Sequence, residues 1–174
     1  MCIRDSSQVL HHPFVQHTAL LASNSKGSSL AKPEVTATDG THFLLNSDFN
    51  IAFDVNAALN ASYNGTGQNI AIAGVSRINP SDIANAQTIS GQAIKTFNTI
   101  IPPDGADPGA AQVTYSAGNQ DDLNQDEATI DVDRSTGTAP GATIDLVVSG
   151  DLGTGGTDAT DGLFIAINLS LIHI

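Results

Sequence analysis

The sequence predicts an α/β domain whose helices flank a parallel sheet, and three observations predict it. A short continuous apolar run, Asn69–Val75, has the texture of a strand covered on both faces, and Thr143–Ser149 is a second buried-strand candidate. Between them Asn79-Pro80-Ser81-Asp82 has the form of a helix start. Asn79 suits the N-cap, Pro80 the first helical position, and Asp82 the electropositive first turn. The order that results is strand, helix, loop, helix, strand, helix, which calls for parallel strands joined by crossovers.

Taken in order, residues 7 to 40 are rich in Ser, Ala, Lys and His and weakly periodic, with Ser23-Asn24-Ser25-Lys26-Gly27-Ser28-Ser29 reading as linker. From Thr41 the texture changes. His42-Phe43-Leu44-Leu45 and Phe49-Asn50-Ile51-Ala52-Phe53 are apolar enough to be expected in the core. Asn64-Gly65-Thr66-Gly67 is a turn cluster leading into the first apolar run. Ile83, Ala84 and Ala86 give the following helix a modest apolar face. Residues 101–118, with Pro102, Pro103 and Pro108, read as loop with one short strand over Gln112–Tyr115. After the acidic segment Asp121–Asp133 comes a turn at Ala139-Pro140-Gly141, then the second apolar run. Gly150–Gly162 is a Gly/Thr/Asp loop, and Leu163–Ile167 opens another apolar element. Asp145 and Asp151 read as strand-edge or loop acids. No internal repeat is visible.

The chain has 174 residues, 6 Lys+Arg and 18 Asp+Glu, for a formal charge of −12. That length holds one domain with a real core. At 40% apolar and 14% charged residues, the chain is expected to fold. The acidic balance argues against a nucleic-acid or anionic-membrane partner, and no apolar run approaches the ~20 residues of a membrane-spanning helix. It suits an extracellular protein that stays soluble as pH falls.

The only Cys and the only Met sit in Met1-Cys2-Ile3-Arg4-Asp5-Ser6. This opening resembles translated sequencing-adapter read-through, as does the closing Leu171-Ile172-His173-Ile174. Residues 1–6 and 171–174 are therefore set aside as scars. What remains has no Cys, which excludes disulfides and thiolate metal sites. The chain reads as a piece of a longer gene product, open at both ends.

Asp121, Asp122, Asp126, Glu127, Asp131 and Asp133 fall close together, with no cation before Arg134. Three readings are open. One is a solvated acidic surface. Another is calcium, although the spacing does not match an EF-hand loop. The last is catalytic. On a helix, residues four apart face the same side. Two carboxylates at that spacing cannot both ionise freely, and they share a proton. That suits acid–base work under acidic conditions, where a histidine would already be charged. Local propensity favours a strand instead, because Thr129-Ile130-Asp131-Val132-Asp133 alternates and is β-branched. On a strand, Glu127 and Asp131 would stand ~13 Å apart.

Several stretches, across about residues 32–168, resemble the sedolisin family of serine-carboxyl peptidases. Lys32-Pro33-Glu34, Thr41-His42-Phe43-Leu44 and Ser47-Asp48-Phe49 resemble the passage from prosegment into catalytic domain. Tyr63-Asn64-Gly65-Thr66-Gly67-Gln68-Asn69-Ile70-Ala71-Ile72-Ala73-Gly74 resembles the family's first core strand, followed by Ile78–Ile83. Asp107-Pro108-Gly109 is similar to its next loop. Most specific are Asp126-Glu127-Ala128-Thr129-Ile130-Asp131-Val132-Asp133 and Ala139-Pro140-Gly141-Ala142-Thr143-Ile144, which resemble the family's catalytic Glu-x-x-x-Asp and its Ala-Pro-Gly-Ala turn.

The resemblance implies a truncated subtilisin-like fold. It makes residues 7–40 the end of a prosegment with its linker, and 41–170 the N-terminal part of the peptidase domain. It implies a helix at Glu127–Asp131. The catalytic residues carried over are Glu127, general base for a serine nucleophile, and Asp131, which orients Glu127 and helps carry its proton. The serine and the oxyanion aspartate are expected outside this chain, as are the ligands of the family's calcium, so the 174 residues alone are expected to be inactive. Implied partners are a protein or peptide substrate and the protein's own prosegment; the protein is expected to be monomeric. Its location would be extracellular or, in a eukaryote, lysosomal. Where the family usually carries an aromatic residue two positions after Val132, this chain has Arg134. That change either alters a substrate subsite or sets a positive charge near the carboxylates. The competing expectations are a non-catalytic acidic or calcium-binding module and an inactive sedolisin-like domain. His11, His12 and His17 suit either a solvated tail or a metal. Asn60-Ala61-Ser62 and Asn64-Gly65-Thr66 are glycosylation sequons.

Overall fold

The architecture is that of a computed structural model, which describes residues 35–36, 38–114, 119–150 and 162–173. Residues 7–34 of the expected prosegment end, the histidine tail, the opening scar, Asp151 and most of the Gly150–Gly162 loop lie outside the described residues. Strands β1 (Val35–Thr36) and β2 (His42–Phe43) pair antiparallel. Two short helices follow, α1 (Asn46–Ala52) and α2 (Val55–Asn60). Then come β3 (Asn69–Gly74), α3 (Pro80–Ile89), β4 (Asn98–Ile100), α4 (Gln120–Thr138), β5 (Thr143–Val148) and α5 (Gly162–His173).

The two apolar runs of the sequence are β3 and β5, and they are neighbours. The main sheet is parallel, in the order β3-β5-β4. β5 is its centre, in register from Asn69 opposite Thr143 to Gly74 opposite Val148. Asp145 is therefore not on a strand edge. It sits mid-sheet opposite Asn98, whose Nδ2 donates to its Oδ1 at 2.7 Å. The fold is mixed α/β, with helices packed on a three-stranded parallel sheet.

Period-two alternation sorts β5 between the two faces. Ile144, Leu146 and Val148 join Ile72 of β3, Ile83 of α3 and Ala128 and Val132 of α4 in the core. Leu146 and Val132 are completely buried. Asp145 and Val147 point to the other side, where α5 packs. There Leu169 and Ser170 help them line a cavity of about 300 Å3. α5 runs through Leu171 to His173, over residues set aside as scar. No described helix is long and apolar enough to cross a membrane.

The foot of the sheet is set by two turns. Gly65, at φ +85°, takes a left-handed conformation that a side chain would strain. An added Cβ would also lie 3.0 Å from the Cβ of Ala142. The turn before β5 is tied to it, with Gly141 N–H donating to Asn64 O at 2.7 Å and Thr143 N–H to Gln68 O at 2.9 Å.

Two expectations are corrected, and one question that local propensity left open is answered. Residues 42–53 do not form core. Phe43, Leu44, Ile51 and Phe53 are exposed, while Asn46, Asp48 and Asn50 are buried. The inward face of α1 is polar because it meets the backbone of the last turns of α4, whose carbonyls need donors. Asn46 Nδ2 donates to Asp133 O at 3.0 Å and Asn50 Nδ2 to Gly137 O at 3.1 Å. Second, no strand forms over 112–114; those residues are irregular, and Tyr115 lies outside the described residues. The alternating stretch 129–133, whose propensity favoured a strand, is helical, as the resemblance implied. Asn119 Oδ1 accepts the Asp121 N–H at 3.1 Å, capping the helix. Ala128, Val132 and Thr136 form a buried stripe at four-residue spacing, so packing overrides strand propensity.

Candidate active site

Glu127 and Asp131 lie on the exposed flank of α4 beside that buried stripe. Four residues of α-helix separate them by about 6 Å along the axis. Both line one small cavity of about 130 Å3 with Ala73, Gly74, Val75, Asn124, Ala128 and Leu163. The walls come from the carboxyl end of β3, from α4, and from the first turn of α5. In open parallel sheets this end of the strands is where ligands bind. Among the described residues neither carboxylate has a hydrogen bond or ion pair, so both remain available to a ligand.

Asn124 was not singled out in the sequence, although it stands three before Glu127 and so shares its face of the helix. Val75 and Leu163 were legible only as apolar residues. Their place at the cavity depends on where β3 ends and α5 begins.

The other acids of the segment separate from this pair. Asp121 and Asp126 are exposed, whereas Asp122 is buried in the first turn of α4. Asp133 faces α1. Its Oδ1 accepts from Asn46 Nδ2 at 2.9 Å. Burial pushes its carboxyl above the ordinary value of 3.8, against the opposing pull of the Asn46 hydrogen bond and the Arg134 charge.

Arg134 spends its guanidinium on the same side. One terminal nitrogen donates to Asn46 Oδ1 at 2.8 Å and the other to Leu44 O at 2.7 Å. Its centre lies 5.4 Å from the Phe49 ring centroid. The arginine thus ties α1 to α4, and its charge is set against Asp133.

Beside the carboxylate cavity is a larger cleft of about 500 Å3, with Val75 and Asn124 common to both walls. Arg77 and Asp107 form a bidentate ion pair at its rim, both contacts at 2.9 Å. Arg77 and the Gly109 N–H hold the Asp107 carboxyl below its ordinary value.

A cation needs several oxygen ligands converging on one point. Among the described residues no three His, Cys, Asp or Glu side chains are grouped in that way. The helix spreads the carboxylates of the acidic segment around its circumference. No family model, curated protein or solved structure matches the chain.

Proposed function

We propose that this chain is part of a serine-type acid endopeptidase with a subtilisin-like fold, of the sedolisin kind, in which Glu127 is the general base and Asp131 its supporting acid. The observation that carries the reading is the shared cavity. Two carboxylates one helical turn apart, both unpartnered, open at the carboxyl end of a parallel strand. A carboxylate base keeps working at a pH where an imidazole is already protonated.

In the proposed reaction a serine supplied by a further part of the protein lies against Glu127. Glu127 takes the hydroxyl proton as the serine oxygen attacks the peptide carbonyl. It returns that proton to the leaving amine, giving an acyl-enzyme that water then hydrolyses. On this reading Asp131, one turn further along the same face of α4, orients Glu127 and helps carry its proton once substrate and serine close the site. On this reading the substrate is a protein or peptide, the protein's own prosegment is a partner, and the protein works as a monomer outside the cell or in a lysosome. Calcium would bind through residues other than the acidic face of α4.

The test uses the chain extended to include its serine. Glu127→Gln should abolish hydrolysis of a denatured protein at about pH 4, with the circular dichroism spectrum unchanged. Hydrolysis that survives the substitution removes Glu127 from the mechanism.

A further inference from the structure

We infer that the 500 Å3 cleft beside the two carboxylates is a peptide subsite for a lysine or arginine side chain, and that Asp121 selects it. The inference rests on the peptidase reading and adds a substrate class to it.

The cleft has the size of a small-ligand site. It lies beyond the carboxyl ends of β3 and β5, with Val75 on one side and Gly150 on the other. Because Val75 and Asn124 wall both cavities, a peptide whose scissile bond lay over Glu127 would place a neighbouring side chain in the cleft.

Its outer wall is an irregular loop that is nevertheless fixed at three places. Asp107 is held by Arg77 through both carboxylate oxygens. Gly150 N–H donates to Ala106 O at 2.8 Å, and Ala106 N–H to Ser149 Oγ at 3.1 Å. The Gln125 side chain takes both backbone groups of Gln112. Its Oε1 accepts the N–H at 2.6 Å and its Nε2 donates to the C=O at 3.1 Å. A wall fixed beforehand gives up little freedom when a peptide arrives.

The charge of the lining decides the occupant. The Asp107 carboxylate is taken up by Arg77. Asp121 is exposed, and among the described residues its carboxylate has no partner. No Lys or Arg lines either cavity among those residues. An acidic peptide side chain in the cleft would meet the like charge of Asp121, with Arg77 at the rim already taken up by Asp107. An aliphatic one would strip water from Asp121 and return nothing. A long cationic side chain brings the opposite charge and its own donors.

Binding tests this without any serine. The 174-residue chain is titrated at about pH 5 with three fluorescein-labelled peptides that differ only in carrying Lys, norleucine or Glu at one position. The Lys peptide should bind about fivefold more tightly than the norleucine peptide, the upper end for an exposed ion pair. Asp121→Asn should erase that preference, and Asp121→Lys should turn it toward the Glu peptide. Asp126→Asn, at an exposed acid that lines neither cavity, should leave it in place. Circular dichroism establishes that each variant is folded. An undiminished Lys preference in folded Asp121→Asn, or no binding of any peptide by the folded chain, overturns the subsite. Failure of the peptidase reading looks different: hydrolysis by the serine-bearing chain would survive Glu127→Gln while the Asp121-dependent preference persisted.

Discussion

One helix makes two contacts of opposite chemistry. Along its middle, α4 lies on the sheet through Ala128 and Val132, against Ile72, Ile144 and Leu146. At its end it meets α1 through amides and carbonyls, with Asn46, Asn50, Asp133 and Gly137 in the contact, Phe49 half-buried under Arg134, and the flanking Phe43 and Phe53 exposed. The first contact gains from apolar area removed from water and tolerates small shifts. The second gains only if each buried polar group finds its partner, so it tolerates few. The sheet contact should therefore govern global stability, and the α1 contact local order.

The largest expected effect breaks the first contact. Leu146→Ala opens a cavity in the centre of the sheet and should lower global stability by about 3 kcal/mol, read from urea unfolding. An effect confined to α1 would contradict the division.

Gly137→Ala breaks the second contact. A Cβ there would lie 2.5 Å from Asn46 Cγ, and Asn46 is itself held by Asp133 and Arg134. Overpacking of this kind costs about 1–2 kcal/mol. The loss should appear as faster hydrogen exchange in α1, with the amides of β5 still protected.

The smallest effect sharpens the comparison through pH. The Asp133 carboxyl is raised above 3.8 mainly by burial, so ionising it weakens the fold. That weakening is absent below the unfolded value and complete once pH has risen through the folded one. Asp133→Asn should thus raise the thermal midpoint at about pH 7 and leave it unchanged at about pH 3. A destabilised variant at neutral pH would mean that the Arg134 attraction outweighs burial.

The two contacts also differ in how legible they were in the sequence. β3 and β5 announce themselves as short apolar runs, the second interrupted only by Asp145, and α3 by Asn79-Pro80. Asn79 and Pro80 do occupy the cap and first helical positions, although the Asn79 amide goes to Gln112 O and makes no cap bond. β4 went unread because three exposed residues carry no pattern; only pairing with β5 makes them a strand. The stretch 42–53 was misread because Phe43, Leu44, Ile51 and Phe53 look like core, and nothing local reveals that the asparagines of α1 find carbonyls about 87 positions further along the chain. For α4, residue-by-residue propensity pointed to strand, and only the resemblance pointed to helix. The signal that could have decided it was the Ala128–Val132–Thr136 stripe behind an Asn119 cap. The pairing of Glu127 with Asp131 follows from that helix, whereas the cavity around them needs the end of β3 and the start of α5.

The paired turns beneath the sheet have a consequence for how the strands find each other. Gly141 and Thr143 are fastened to Asn64 and Gln68 before the first ladder bond of β3 with β5. They act as the stop at the bottom of a zip. A slide of one residue would bring Ala71 and Ala73 to the side where Ile70 and Ile72 belong, exchanging isoleucine for alanine against Val132. With the stop in place, that error is blocked at its starting point.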